Sequence, residues 1–488
     1  MNKASKHRGQ QMKLQDVAEW GQGGQTTNGK DVFRTGGQGV STKWLSYCKE
    51  ERALTQGMME QIAELSNLGA AMRQVVSNKG SAGTDGMPTR ELKSWFTSNW
   101  QQLQTALLHG LYAPSPIRRV EIPKPNGGSR ILGIPTVKDR LVQQAISQVL
   151  TKRYDPTFSE SSHGFRPRRG AHSALKEAAG QVADGKTWVV DIDLERFFDT
   201  VNHDRLRWLL GSRIGDKRVL TLIGKFLKAG MLEGGLASQR IKGTPQGSPL
   251  SPLLSNIILD ELDKEMEHRG HRFVRYADDM IIMTGSEQAA IRVYQRTVRF
   301  IEGRLKLKVN RDKSRICRPG ELNFLGHSIH SDGGLGLSKA SAVRFKCKLK
   351  ALTRRNRGIS LERLVFELNR VIRGWVQYFK LARMSSRLRK LESWLNRKIR
   401  CFRLRQCKRA LGIARFLHKL GVPWNRCWTT AGSSYGWFKL SSTPAVHEAM
   451  NTRWFRNIGL ISIQDYYLLN FKETAQYERR TLGGVRGR

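Results

Sequence analysis

The sequence predicts an α+β protein: a mixed first part built around an antiparallel sheet, an all-helical domain after it, and a small module at the C-terminal end. Three observations carry this. Short apolar runs flank a carboxylate pair at Tyr276-Ala277-Asp278-Asp279, with Phe273 and Val274 leading in and Met280 to Met283 leading out, which is the signature of a hairpin tip. The composition shifts near residue 340: positions 341 to 420 hold 24 lysines and arginines against three glutamates and no aspartate. Within that stretch Leu361, Leu364, Leu368, Ile372, Trp375 and Phe379 fall on one face of a helix.

The elements follow in order. Residues 1–43 are polar and rich in Gly and Gln, as expected of a flexible arm. From Trp44 to about Val76 the apolar residues Met58, Ile62, Leu65, Leu68 and Met72 recur at helical spacing. A Gly-rich loop, KGSAGTDGMP, covers 79–88. Strand-like segments IRRVEIPKP and SRILGIP are separated by Asn126-Gly127-Gly128, a hairpin signal. Asp139 to Leu150 reads as a helix with Val142, Ala145, Ile146 and Val149 inward. TWVVDIDL (187–194) reads as a strand, and Asp199 is placed to cap the helix after it. The last stretch, 421–488, is rich in aromatics, Trp424, Trp428, Tyr435, Trp437, Phe438, Trp454 and Phe455 among them.

The charge narrows the function classes. The chain of 488 residues carries 84 Lys and Arg against 41 Asp and Glu, a net +43. An excess spread over folded sequence calls for a polyanionic partner, with a solvated basic surface or acidic lipid as the plainer alternatives. The cysteines Cys48, Cys317, Cys347, Cys401, Cys407 and Cys427 form neither a CxxC pair nor a zinc pattern, so a reducing compartment is expected. No apolar run follows the basic N-terminus, so no secretory signal is expected. No stretch of about 18 apolar residues occurs, so no membrane span is expected either.

Chemistry concentrates in the carboxylates. Two adjacent aspartates at a turn repel each other unless a cation neutralises them. Taken alone, Tyr276-Ala277-Asp278-Asp279 could equally be an acidic surface turn. Asp193, ending the strand of Trp188 to Asp193, supplies a second site. A strand-end carboxylate beside a hairpin-tip pair can hold two divalent ions about 3.5–4 Å apart. Asp191 lies on the same strand face one step back and reads as a supporting residue.

In this order the residues resemble the reverse-transcriptase family, from about Lys79 to Phe324, and YADD is the variant typical of group II intron members. The resemblance implies a right-hand polymerase: fingers and palm over 44–335, an α-helical thumb and maturase domain over 336–420, and a DNA-binding module over 421–488. It implies Asp193, Asp278 and Asp279 as catalytic metal ligands, joined by the Leu194 backbone carbonyl, with two Mg²⁺ ions for which Mn²⁺ could substitute. Phe198, five positions after Asp193, is implied as the gate against ribonucleotides, since a ring under the sugar leaves no room for a 2′-hydroxyl; Phe197 is then the core member of the pair.

Further matches imply further roles. Gly243 to Pro252 resembles the family's PQG loop, with Gln246 at the incoming nucleotide. Lys124 and Arg130, on the two arms of the hairpin, are implied to grip the dNTP triphosphate, and Lys313 to hold primer and nucleotide together with the turn Asn323 to His327. Arg166, Arg168 and Arg169 in HGFRPRRGAHSAL, with Tyr276, are implied to bind nucleic acid. Arg373-Gly374-Trp375-Val376-Gln377-Tyr378-Phe379 resembles the maturase domain and implies RNA contact through Arg373. The Cys/His-rich endonuclease of many group II intron proteins has no counterpart here. The partners implied are group II intron RNA, an RNA template with a DNA primer, target DNA and dNTPs, in the bacterial cytoplasm or on the nucleoid. A splicing-only maturase, and a domesticated enzyme of DNA repair or phage defence, are the alternatives. Oligomeric state stays open.

Overall fold

The computed structural model describes residues 55–123, 129–233, 236–238, 243 and 247–471. The expected arm 1–43, Lys124, the turn Asn126 to Gly128, and Gln246 lie outside these residues. The chain divides between Arg318 and Pro319 into two compact units.

The first unit opens with helices α1 (Met58–Ala63) and α2 (Leu65–Ser77). The single helix expected from the spacing breaks at Glu64, whose ψ of 135° is extended. That break turns Leu65 outward, 45% exposed, while Met58, Ile62 and Leu68 are buried. Strands β1 (Ile117–Pro123) and β2 (Ser129–Ile134) pair antiparallel, as the hairpin signal implied. The helix expected after them runs over Val137–Tyr154, and Thr136 starts it by accepting a hydrogen bond from the Asp139 N–H at 3.1 Å. This cap satisfies one of the helix's orphan donors. All four inward residues expected of it are buried.

The central sheet of this unit is built from β3 (Trp188–Ile192), β6 (Arg272–Tyr276), β7 (Asp279–Thr284) and β8 (Arg315–Cys317), while the short β4 (Met231–Glu233) and β5 (Leu236–Ser238) extend the sheet of β1 and β2. The central sheet has the order β6-β7-β3-β8 and is antiparallel throughout. One core runs beneath it, through Val190, Ile192, Phe197, Phe273, Met280 and Ile282 to the helices. Asp199 does not cap the next helix. That helix, His203–Arg213, is capped by Asn202, whose side chain accepts from the Arg205 N–H at 2.9 Å.

The second unit contains a pair of short strands, His327–Ile329 and Leu335–Leu337, and a set of helices. Its longest members are Leu361–Phe379 and Ser385–Gln406. The expected seam is present: Leu364, Leu368, Ile372 and Phe379 are buried, and Leu361 and Trp375 pack at its margin. Trp375 stacks on Phe345 at 4.0 Å and 4°. His327 packs in the same core, 4.9 Å from the Phe379 ring, so the turn Asn323 to His327 is anchored within this unit. Among the described residues the aromatic stretch after residue 421 has no separate core: Cys427, Leu440, Trp454, Phe455 and Tyr467 join the cluster of the long helices.

Candidate active site

The sheet brings the aspartates together by register. Ile192 pairs with Met280 and Tyr276 with Asp279. Asp193, one residue past β3, therefore lies next to the β6–β7 tip that carries Asp278 and Asp279. Ala277 takes the left-handed conformation, φ 59°, which closes a two-residue turn.

Asp193 is held by its backbone. Its N–H donates to Ser314 Oγ at 3.1 Å, and its carbonyl accepts from the Asn310 N–H at 2.9 Å. The Glu195 N–H donates to the Lys308 carbonyl at 2.8 Å. Leu194 thus faces Val309 as a non-bonded antiparallel pair, and its own carbonyl points away from that partner. Lys313 Nζ lies 3.3 Å from Asp193 Oδ2.

The site concentrates negative charge. Loss of solvation pushes the Asp279 carboxyl up to about 7, reinforced by Asp278, Asp193 and Asp191 and opposed by Lys313. Its residue is nevertheless exposed, so the crowding comes from the protein mass and charge around an accessible group. Asp278 is also raised, by desolvation and then Asp193, with Arg130 and Lys313 pulling the other way. Asp191 rises to about 6 by desolvation and Asp193, although Arg315 lies 3.3 Å away and lowers it.

A cavity of about 500 Å³ has Arg130, Phe198, Phe165, Gly247 and Arg140 in its lining and none of the aspartates, but its Arg130 acts on the Asp278 carboxyl. It brings together Phe198 and Arg130, both expected at the nucleotide, with Phe165 and Arg140, which sequence reasoning did not name. Phe197 faces inward at 2% exposure and meets Phe198 edge-on at 5.3 Å. Gly243 is confined: φ is 88°, and a Cβ would lie 2.8 Å from the Phe198 and Asp199 carbonyls.

The network beneath the tip was not legible in the sequence. Arg275 is buried, with Nε 2.7 Å from Asp263 Oδ1. Its Nη1 donates to the Ala277 carbonyl and to Asn256 Oδ1, both at 3.0 Å. The Asn256 amide in turn donates to the Gly164 carbonyl at 2.9 Å. A Cβ on Gly164 would sit 2.2 Å from the Ala277 nitrogen, so only glycine permits the HGF loop to touch the turn.

The three arginines of that loop separate. Arg166 is corrected: its side chain is 3% exposed, it pairs with Asp155 at 2.7 Å, and it donates to the Ser159, Ser162 and Asp155 carbonyls. It braces the loop from within, so its guanidinium is enclosed by the protein where the sequence led us to expect a template contact. Arg169 pairs with Glu160. Arg168 is exposed. Tyr276 is half-buried at the end of β6, and in the second unit Arg373 is exposed on its helix. In the 79–88 loop Gly83 approaches the protein's own backbone, since a Cβ there would fall 2.5 Å from Thr136 Cα, whereas Gly80 meets the Arg140 side chain and Gly86 is open.

Residues 122–329 match the family model of the reverse transcriptase (RNA-dependent DNA polymerase), and residues 342–421 match the group II intron maturase-specific domain. Protein YkfC of Escherichia coli K12 is 34% identical over 315 residues, covering 56% of this chain and 83% of YkfC. The chain belongs to the group II intron reverse transcriptases and maturases, a class of RNA-directed DNA polymerases. The group II intron-encoded protein LtrA of Lactococcus lactis is 32% identical over 325 residues, and the match covers 53% of this chain and about half, 54%, of LtrA. A putative COX1/OXI3 intron 2 protein of Saccharomyces cerevisiae is 28% identical, covering 56% and 38% of the two chains.

A reverse-transcriptase domain implies a divalent metal, and the donors fit one. They are hard carboxylate oxygens whose mutual repulsion a cation would relieve. Among the described residues no group of three or more His, Cys, Asp or Glu is placed to hold a metal ion by itself. Mg²⁺ is ordinarily held by one or two carboxylates, with water and substrate phosphate completing its shell. Among the described residues no helix is long and apolar enough to cross a membrane.

Proposed function

We propose that the first unit copies RNA into DNA from a DNA primer at Asp193, Asp278 and Asp279, and that the second unit binds group II intron RNA for splicing and for target-primed reverse transcription. The observation that carries the polymerase reading is the register that puts Asp193 against the tip bearing Asp278 and Asp279. Bound by these residues and the Leu194 carbonyl, two Mg²⁺ ions would activate the primer 3′-hydroxyl and stabilise the leaving pyrophosphate. Arg130 offers an exposed guanidinium to the triphosphate. Phe198 closes the wall of the cavity beneath the sugar. Lys313, within 3.3 Å of Asp193, can exchange that carboxylate for a phosphate oxygen. Lys124 and Gln246 complete the nucleotide contacts in this reading. Arg168 and Tyr276 contact template or primer, Arg373 contacts intron RNA, and the stretch after 421 contacts target DNA. The setting is the bacterial cytoplasm, or the nucleoid when DNA is bound.

Primer extension on poly(rA)/oligo(dT) with Mg²⁺ is the test, comparing wild type with the Asp278→Ala, Asp279→Ala double variant. Extension that vanishes in the variant is expected. A folded, RNA-binding wild type that extends nothing would leave a splicing maturase as the better account.

A further inference from the structure

The second unit holds a hollow of about 910 Å³, within the size range of small-ligand sites. It lies where the end of helix Lys339–Leu352, the C-terminal half of helix Ser385–Gln406 and the short helix Trp437–Leu440 meet. Lys350, Arg354, Arg355, Lys398 and Arg405 line it, and no carboxylate does. Among the described residues none of the five has an acidic partner, although this chain pairs many of its other arginines. Four of the five are exposed.

An aromatic wall completes the hollow. Phe438 is 45% exposed. The Arg397 guanidinium lies 3.5 Å over its ring and donates to its carbonyl at 2.9 Å. Trp437 is fixed from behind, where Cys401 Sγ donates to its carbonyl at 3.3 Å. The ring pair is therefore pre-positioned by the long helix, which also sets Lys398 Nζ 5.7 Å from the Phe438 ring and the Arg405 guanidinium 5.5 Å from the Trp437 ring.

We propose that this hollow takes one unpaired nucleotide extruded from structured RNA, its base against Phe438 and its flanking phosphates on the five cations. The inference rests on the reading that this unit binds intron RNA, and it names how. A hollow with an aromatic wall suits an unstacked base, whereas a continuous duplex presents only its backbone. Paired RNA hides its bases in a deep, narrow groove, so proteins read RNA sequence at loops and bulges, by stacking on aromatic and arginine planes. At this hollow Trp437 and Phe438, although they lie in the stretch read as contacting target DNA, serve RNA together with the helices before 421, and a bulged DNA hairpin separates the two assignments.

Fluorescence anisotropy on the full chain tests this with three labelled hairpins: an RNA stem with a one-nucleotide bulge, the same stem fully paired, and the bulged stem in DNA. The bulged RNA is expected to bind about tenfold more tightly than either control, the scale of one stacked base. F438A is expected to erase that preference while moving paired-stem affinity by less than about twofold, because phosphate contacts remain. F438W is expected to keep it. Thermal melting checks that each variant is folded. Equal affinity for bulged and paired RNA, or a preference that survives F438A, overturns the inference and leaves general RNA binding standing. Equal binding of bulged DNA overturns the assignment to RNA. No binding of any RNA by a cooperatively melting chain removes the RNA-binding reading beneath it.

Discussion

In the first unit, aspartates of one charge are crowded on short side chains at strand ends. In the second, 24 lysines and arginines fall between residues 341 and 420, on long side chains around helices. The two arrangements relax differently. Asp278 and Asp279 cannot move apart, because the Ala277 carbonyl between the strands is fixed by buried Arg275. Exposed cations such as Arg373 and Arg355 can spread into solvent and are screened by salt. Rigid repulsion suits a site that must grip a cation in one geometry. Mobile repulsion suits a surface that must follow a polyanion. Single substitutions should therefore be severe in the first unit and graded in the second.

The largest effect is expected at Asp193. Asp193→Asn keeps the shape and removes the charge, and primer extension should fall by about a thousandfold, the upper range for losing one charge-stabilising group. Retention of more than a tenth of the activity would remove Asp193 from the metal site. Next is Arg275→Met, which strands Asp263 at 0% side-chain exposure. Breaking a buried pair from one side costs about 3–5 kcal/mol, read as a lower urea midpoint. Adding Asp263→Leu should recover most of that stability but not extension, since the Ala277 carbonyl stays unheld. Recovery of both would mean that Arg275 serves stability alone. Phe198→Val comes third, with ribonucleotide incorporation relative to dNTP rising by about 10- to 100-fold in single-turnover extension.

These sites differ in how far the sequence disclosed them. The hairpin tip and strand 188–192 were legible because apolar runs of strand length bracket the charges, and the 361–379 seam because its period is helical. Arg275 was hidden. Its charge stands in an apolar run, and its partners Asp263 and Asn256 lie on a helix that only the tertiary fold brings beneath the strand. Arg166 misled for a related reason: an arginine among Gly and Pro reads as exposed, yet Asp155 and three carbonyls enclose it. The helix start after Asp199 was misassigned because Asn202, three residues on, competes as a cap and wins. The shared core of the second unit was missed because the composition changes at 421 while the packing does not.

The raised Asp279 carboxyl gives a pH test of the rigid side of the comparison. Its folded value is about 7 against an ordinary 3.8, so between those limits the folded protein binds more protons at this group than the unfolded chain does. Stability from this group therefore falls as pH rises through that window. In chelator, the melting temperature of Asp279→Asn should gain on wild type from about pH 4 to about pH 7. Mg²⁺ should shrink the gap, because a cation favours the ionised carboxylate. A gap that does not change with pH would mean that the carboxyl is not crowded.

Smallest is Arg373→Ala. Its guanidinium is exposed, and no ion pair to it is formed among the described residues, so removing it should leave the fold intact. RNA affinity should drop only a few-fold, but the slope of log affinity against log salt should become shallower by about one, the signature of a single lost phosphate contact. A mutable, salt-dependent contact of this kind is what separates the second unit from the first, where Asp193→Asn should lose activity at every salt concentration. If Arg373→Ala weakened binding without changing the salt slope, the helix face would be recognising RNA by shape or stacking and not by charge. The mobile cations would then no longer explain the net +43.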